Sequence, residues 1–390
     1  MVRFSFGAPV SDENFFNREE EIKYIEKRLF AIKQGSRNDL AIVGPRRVGK
    51  SSLVLQMQHH ARRKGFKTIF IDCEGLSLED FTTEYGNAIM KAELEGRVDK
   101  EVLSRIRGGA GGAIAALSEL LGRVRAMELS PVLGEFLKLR IEFENARDSF
   151  GGKKESARKL LESSLALTSA SKHMYVVIFD EFQETSSYGP GNAFHAIFRR
   201  ATQYQKNTVY VYTGSSIGMM EGIFGNNSNP LAANADIMEV APFSEETSKT
   251  FMQEGLEGYG KKITEDALDT VWESTGGFPA YLNWAGLRFL DYREGKIGKA
   301  EAEKMAEEMG SPVSPAYQLV GKQLSRIGGF SMKVLRSIAE GGKVPAEIGR
   351  RSGASNVYVY LERLRKYGMI SKKGGEYSIS DPLIRRVVCE

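Results

Sequence analysis

The sequence predicts an α/β fold built on a parallel sheet with crossover helices. Short apolar runs of strand length recur along the chain: Asp39-Leu40-Ala41-Ile42-Val43, Lys67 to Asp72 (KTIFID), Met174 to Phe179 (MYVVIF) and Thr208 to Thr213 (TVYVYT). Helical spacing of apolar residues fills the stretches after them, and strands alternating with helices pair in parallel. The first run also ends in a glycine-rich turn that leads straight into helical sequence.

In chain order, Phe15 to Lys33 reads as an amphipathic helix, because Ile22, Ile25, Leu29 and Ile32 recur at spacings of three and four. The first strand and its turn follow. Ser51 to Arg62 resumes helical character, and Gly65 punctuates the chain before the second strand. Between about Leu76 and Ser171 the sequence is mostly helical, interrupted at Gly108-Gly109-Ala110-Gly111-Gly112, which reads as a joint or turn. So long an unstructured loop would be exceptional, so inserted helices are expected. The strands at Met174 and Thr208 come next, with a shorter fifth at Ile237 to Val240. After Pro242, Ser244 reads as the N-cap of a helix with Thr247 three residues on. Helical pattern then runs to about Arg326, broken at Gly276-Gly277-Phe278-Pro279. From Phe330 the chain shows short helices, then a hairpin of Met369 to Lys373 with Glu376 to Ser380 around Gly374-Gly375.

Composition bounds the class. The 390 residues suggest two or three domains, and 42% hydrophobic with 27% charged residues suits a globular chain with a real core. No apolar run approaches the roughly 20 residues that cross a bilayer. Acidic residues at Asp12, Glu13, Glu19, Glu20 and Glu21 interrupt any signal-peptide reading. Cys73 and Cys389 are too few for a disulfide framework, so a reducing, cytoplasmic setting is expected, and four scattered histidines make no metal signature. Net charge is only +4, yet Ser331 to Glu390 holds twelve Lys/Arg against six Asp/Glu. That basic tail is a candidate nucleic-acid surface.

Gly44-Pro45-Arg46-Arg47-Val48-Gly49-Lys50-Ser51 fits G-x-x-x-x-G-K-[ST] without a gap. Such glycines let backbone amides turn inward around phosphate oxygens, at the positive end of the helix that follows. Lys50 is expected on the β and γ phosphates and the Ser51 hydroxyl on Mg²⁺, with Ser52 beside it. A chance glycine-rich turn would lack the preceding strand and the following helix. ATP with Mg²⁺ is therefore the expected ligand.

The second half of the site is Asp180-Glu181, an acidic pair at the carboxyl end of a buried strand, where α/β sheets bind ligands. Asp180 is expected to hold Mg²⁺ through water, and Glu181 to polarise the attacking water. Thr213-Gly214-Ser215-Ser216 ends the neighbouring strand, which makes Ser215 a candidate γ-phosphate sensor. Arg199 and Arg200 are candidate transition-state charges, with a solvated helix face as the plainer reading for at least one of them.

These residues together resemble the archaeal ATPase family within the STAND class of P-loop ATPases, relatives of the AAA+ and origin-recognition ATPases. The pieces that carry the resemblance are Phe16-Asn17-Arg18-Glu19, the P-loop, Asp180-Glu181-Phe182-Gln183, Gly214 to Met220, and Gly277-Phe278-Pro279. The resemblance implies strand order 5-1-4-3-2, a helical lid and a C-terminal winged helix. It divides the chain into an ATPase core at 1–242 with an insertion at about 76–171, a lid at 243–326 and a winged helix at 327–390. It also implies that Phe16 and Arg18 lie near the adenine and that Pro279 closes over the nucleotide. No arginine finger stands where AAA+ oligomers keep theirs, which argues against a ring.

In the tail, Val344 to Arg350 and Ser355 to Tyr367 read as the two helices of a helix-turn-helix, with Val359, Leu361 and Leu364 toward its core and Asp381-Pro382-Leu383 as the family's closing element. Asn356, Tyr358, Arg363, Arg365 and Lys366 are candidates for phosphate or base contacts with double-stranded DNA; a protein partner is the alternative for the same module. Two functions follow as expectations: a slow regulatory ATPase whose nucleotide state controls the C-terminal module, or a DNA-binding, initiator-like ATPase. A third is an ATPase coupled to a partner through the inserted helices.

Overall fold

A computed structural model of the chain describes residues 2–95, 101, 110–126, 131–146 and 153–390. The chain begins with α1 (Glu19–Ala31), β1 (Leu40–Val43), α2 (Lys50–Arg63) and β2 (Lys67–Asp72). The four helices α3 (Leu78–Leu94), α4 (Ala110–Ala126), α5 (Pro131–Ala146) and α6 (Lys153–Ala170) then separate β2 from β3 (Tyr175–Asp180). α7 (Ala193–Thr202), β4 (Thr208–Gly214), α8 (Ile217–Phe224) and β5 (Asp236–Glu239) complete the α/β layer.

All five strands run parallel in the order β2-β3-β4-β1-β5, the expected order read from the opposite edge. β1 and β4 are buried along their whole length, which is why they read as unbroken apolar runs. β5 is one of the two edge strands, mostly exposed, and carries too few apolar residues to be a strong signal.

The sheet's two faces have separate cores. α3, α5 and α6 cover one face, packing Phe81, Tyr85, Phe136 and Leu161 toward Phe179 and Phe198. Inside this insertion Arg140 and Glu144 form an ion pair at 2.5 Å, with both side chains almost wholly buried. Of the expected joint, Gly108 and Gly109 lie outside the described residues, whereas Ala110, Gly111 and Gly112 already belong to α4. The other face packs on α1 and α2, and that core continues without a break into the rest of the chain.

The remaining chain is helical, with α9 (Glu245–Glu257), α10 (Glu265–Thr275), α11 (Pro279–Asp291), α12 (Lys299–Gly310) and α13 (Pro315–Leu324). Ser244 caps α9, its hydroxyl accepting from the Thr247 amide at 3.1 Å. β6 (Lys262–Ile263) and β7 (Lys296–Ile297) pair in parallel over two residues, too short a ladder to show as an apolar run. The N-terminal segment belongs physically to this region: the ring of Phe4 lies where a Cβ on Gly255 or Gly286 would sit, so both positions exclude any side chain. Last come α14 (Gly329–Ala339), α15 (Pro345–Ser352), α16 (Val357–Lys366), the antiparallel β8 (Ser371–Lys373) and β9 (Glu376–Ser378), and α17 (Pro382–Cys389).

Two local expectations change. Phe15 to Arg18 is not helical: Asn17 and Arg18 both have positive φ, and α1 starts at Glu19 with three acids on its positive end. On α16 the buried set is Val357, Leu361 and Leu364, whereas Val359 is 59% exposed. Spacings of four and three keep the first three on one stripe, and a position two residues from either neighbour points away from it.

Candidate functional site

The turn from β1 into α2 forms the floor of a cleft. Gly49 adopts φ +92, and Arg47 also sits in the left-handed region at φ +71, so the backbone curls around the N-terminus of α2. A glycine meets the first requirement without strain; the second is strain held by the surrounding contacts. Lys50, only 6% exposed, opens the helix. Its Nζ donates to the carbonyls of Gly44 and Pro45, each at 2.9 Å. Burial pulls the Lys50 pKa down to about 8; the carboxylates of Glu181 and Asp180 oppose this and Arg46 adds to it.

β3 delivers the acidic pair. Asp180 Oδ2 lies 3.4 Å from the Ser51 hydroxyl, and Asp180 Oδ1 accepts from the Glu181 amide at 3.0 Å and from the Thr213 hydroxyl. Glu181 has φ +49 and ψ +43, which turns its carboxylate toward the end of β4. There Oε2 accepts from Ser215 Oγ at 2.6 Å, from the Ser215 amide at 3.4 Å and from the Gln183 side-chain amide. Ser215 is thus a partner of Glu181.

The donors suit a small hard cation. Ser51 and Asp180 offer a hydroxyl and a carboxylate oxygen close together, the few protein ligands typical of Mg²⁺ bound with a nucleotide's phosphates. Among the described residues no group of three or more His, Cys, Asp or Glu side chains is arranged to hold a metal unaided.

The two loop arginines diverge. Arg46 Nη2 lies 3.3 Å from Glu74 Oε1 and 4.0 Å from Glu181 Oε2. Arg47, expected to bind the nucleotide, has its guanidinium taken up by the C-terminal region instead. It donates to Asp381 Oδ2 at 2.9 Å, the Tyr281 hydroxyl at 3.1 Å and the Leu319 carbonyl at 2.8 Å. Only the Arg47 backbone remains available to the loop.

Phe16, Arg18, Ser52 and Pro279 all line the cleft. Phe16 packs edge-on to Phe251, ring centres 5.2 Å apart. The Arg18 guanidinium donates to the carbonyls of Val48 and Ala241 and pairs with Glu21 at 2.8 Å, so it braces the backbone of the loop. Pro279 opens α11 against Gly49, and the next amide, Ala280, donates to the Arg47 carbonyl at 3.4 Å. Arg199 and Arg200 are engaged elsewhere, with the Pro230 carbonyl at 2.7 Å and with Glu162 at 2.5 Å.

Sequence reading missed Glu74 and Arg326. Glu74 follows β2, whose Asp72 is in register with Asp180, and a carboxylate just past a strand's carboxyl end was the available signal. Arg326 Nη2 reaches Glu74 Oε1 at 2.8 Å across 252 positions, and nothing local in the sequence announces it.

A family model described as an ATPase domain predominantly from Archaea matches residues 15–284. Among curated proteins none matches the chain. The Walker-type ATPase PABY2304 of Pyrococcus abyssi superposes with a TM-score of 0.66 at 22% identity, covering 99% of each chain. The Aeropyrum pernix ORC2 protein superposes with a TM-score of 0.52 at 14% identity, covering 96% of this chain and 95% of that one. At these identities the two likenesses establish a shared fold.

Proposed function

This chain belongs to the family of ATPase domains found predominantly in Archaea, and from that premise we propose a nucleotide-driven switch whose state controls the C-terminal module. In this reading the chain divides into a core at 1–242, a lid at 243–326 and a winged helix at 327–390. Backbone amides of the loop from Arg46 to Ser52, together with the Lys50 ammonium, hold the phosphates. Ser51 and Asp180 hold the Mg²⁺ that neutralises phosphate charge. Glu181 takes the proton of the attacking water, with Ser215 and Gln183 aiming its carboxylate. Pro279 closes over the bound nucleotide, with Phe16 on the base side of the cleft.

The observation that carries the switch is the reach of Arg47. Its backbone belongs to the phosphate loop and its guanidinium to Asp381, which caps the last helix. Any change in the loop on binding phosphates is felt at that cap. A second contact supports the same coupling, since the Ser216 hydroxyl donates to the carbonyl of Lys366 at the end of α16. The test compares hydrogen exchange across 357–389 with and without ATP, in the wild-type chain and in Lys50→Ala. Nucleotide-dependent exchange that disappears in Lys50→Ala is expected; identical exchange in all four samples would sink the switch.

The second reading, a DNA-binding regulator, rests on the twelve-to-six basic excess of the tail and on exposed Tyr358, at 61% exposure. Against it, Arg365 is spent on Glu221 at 2.5 Å in this arrangement. Salt-dependent binding to duplex DNA decides it, because phosphate contacts release counterions. No binding at low salt removes this reading.

A further inference from the structure

We propose that Arg326 is a cis-acting arginine that leaves Glu74 to contact the terminal phosphate of ATP, with Arg46 beside it. This rests on the ATPase reading and adds to it the charge-stabilising group that the sequence did not reveal.

Two guanidiniums converge on one oxygen: Arg326 at 2.8 Å and Arg46 at 3.3 Å both donate to Glu74 Oε1. Those two donors hold the Glu74 carboxyl below the usual range. All three residues line the cleft that Lys50 and Glu181 also line. Arg46 is 4.0 Å from Glu181 Oε2, so the pair stands next to the acid that receives the water's proton. A polyanion entering here meets two cations, of which Arg326 is held by an exposed, exchangeable pair with Glu74.

The other cleft arginines are not free to move in this way. Arg18 and Arg47 have side chains only 11% and 9% exposed and are bonded to backbone carbonyls as well as carboxylates. Arg326 is 49% exposed and Glu74 37%, and an exposed ion pair contributes little, so exchanging it for a charge-assisted bond to phosphate is favourable. In hydrolysis the water oxygen bonds to the γ phosphorus as its bond to the β–γ bridging oxygen breaks. The electron pair leaves on ADP, and the water's proton passes to Glu181. Arg326 and Arg46 offset the charge on the γ oxygens during that step. Arg326 stands between α13 and α14, so its shift from Glu74 also reports the terminal phosphate to the start of the C-terminal module.

The test uses the full chain with Mg²⁺, measuring ATP turnover and the Kd for ADP and for a non-hydrolysable ATP analogue. Arg326→Ala is expected to lower kcat by about 10³-fold and to weaken the ATP analogue while leaving ADP affinity unchanged, which also shows that the variant is folded. Should that variant fail to bind ADP, Arg326→Gln replaces it in the same assay. Glu74→Gln, which releases the arginine, is expected to raise the preference for the ATP analogue over ADP. Turnover within twofold of wild type and an unchanged preference in Arg326→Ala overturn the proposal, as does loss of the preference in Glu74→Gln. Restored turnover on mixing Arg326→Ala with Lys50→Ala chains would overturn the cis assignment. A wild-type chain no faster than Lys50→Ala refutes the hydrolysis reading instead, and the binding preference still decides the role of Arg326.

Discussion

The guanidinium of Arg47, in the turn after β1, lies 2.9 Å from Oδ2 of Asp381, which begins the last helix. Asp381 divides its oxygens between two tasks. Oδ1 caps α17 by accepting from the amides of Leu383 and Ile384 at 3.0 and 3.2 Å, and Oδ2 accepts from Arg47 and from the Tyr281 hydroxyl at 2.8 Å. The phosphate loop, α11 and the C-terminal helix therefore meet at one carboxylate. Arg47 and Asp381 are 9% and 8% exposed, and removing one partner of a buried pair strands the other charge at a cost of about 3–5 kcal/mol.

Arg47→Ala is accordingly expected to lower the unfolding free energy by about 3 kcal/mol. Asp381→Asn keeps an acceptor for the helix cap and removes the stranded charge, so the double variant recovers part of that loss. Urea unfolding of the four chains measures the coupling. Additive effects within about 0.5 kcal/mol would mean the two residues act independently.

Glu181→Gln should retain nucleotide binding while losing turnover by about 10²–10⁴-fold, because the amide no longer takes a proton from water. Ser215→Ala removes the hydroxyl 2.6 Å from that carboxylate but leaves Gln183, and is expected to lower kcat about tenfold with little change in Kd. Single-turnover kinetics with equilibrium binding checks both. A Ser215→Ala chain with normal kcat and weakened ATP affinity would return Ser215 to the role of a phosphate sensor.

Lys50 sets a pH dependence. Burial holds its pKa at about 8 against an ordinary 10.5, and bound phosphates favour the protonated form. Below about pH 8 the lysine is already charged. Above it, binding takes up a proton, so ATP affinity falls by up to tenfold per pH unit until the pH reaches the pKa of the bound lysine. Stability moves the other way. Between about 8 and 10.5 the unfolded chain holds more protons than the folded one, so this group's contribution to stability rises with pH. Calorimetry in buffers of different ionisation enthalpy measures the uptake at pH 9. No proton uptake there would contradict the shift.

What the sequence disclosed followed from how local each feature is. β1, β3 and β4 are buried on both faces, so their apolar runs are unbroken, and the G-x-x-x-x-G-K-S turn occupies eight consecutive residues between a strand and a helix. The acidic pair was legible for the same reason. Arg47 was not: its type and position fit the loop, while its partner Asp381 lies 334 positions away. Arg326 and Glu74 are joined only by the fold. Val359 does not share the stripe of Leu361 and Leu364, because a spacing of two residues from Leu361 turns it off that helix face, where Val357 at a spacing of four belongs.

Gly368 provides a direct way to loosen the C-terminal module from the core. It has φ +63, and a Cβ there would lie 2.6 Å from the Ser215 carbonyl oxygen, a backbone atom that cannot swing aside. Gly368→Ala therefore combines a left-handed alanine, costing about 1–2 kcal/mol, with a collision at the segment that positions Glu181. Gly374→Ala is the matched control, with φ +59 and nothing within 4 Å of the added carbon. If α16 docks on the Ser215 segment as the Ser216–Lys366 bond indicates, Gly368→Ala raises tryptic cleavage after Arg363, Arg365 and Lys366 and changes kcat, while ADP still binds. Gly374→Ala shows the modest loss of stability alone. Equal cleavage in the two variants would mean that the contact at Gly368 does not hold the module in place.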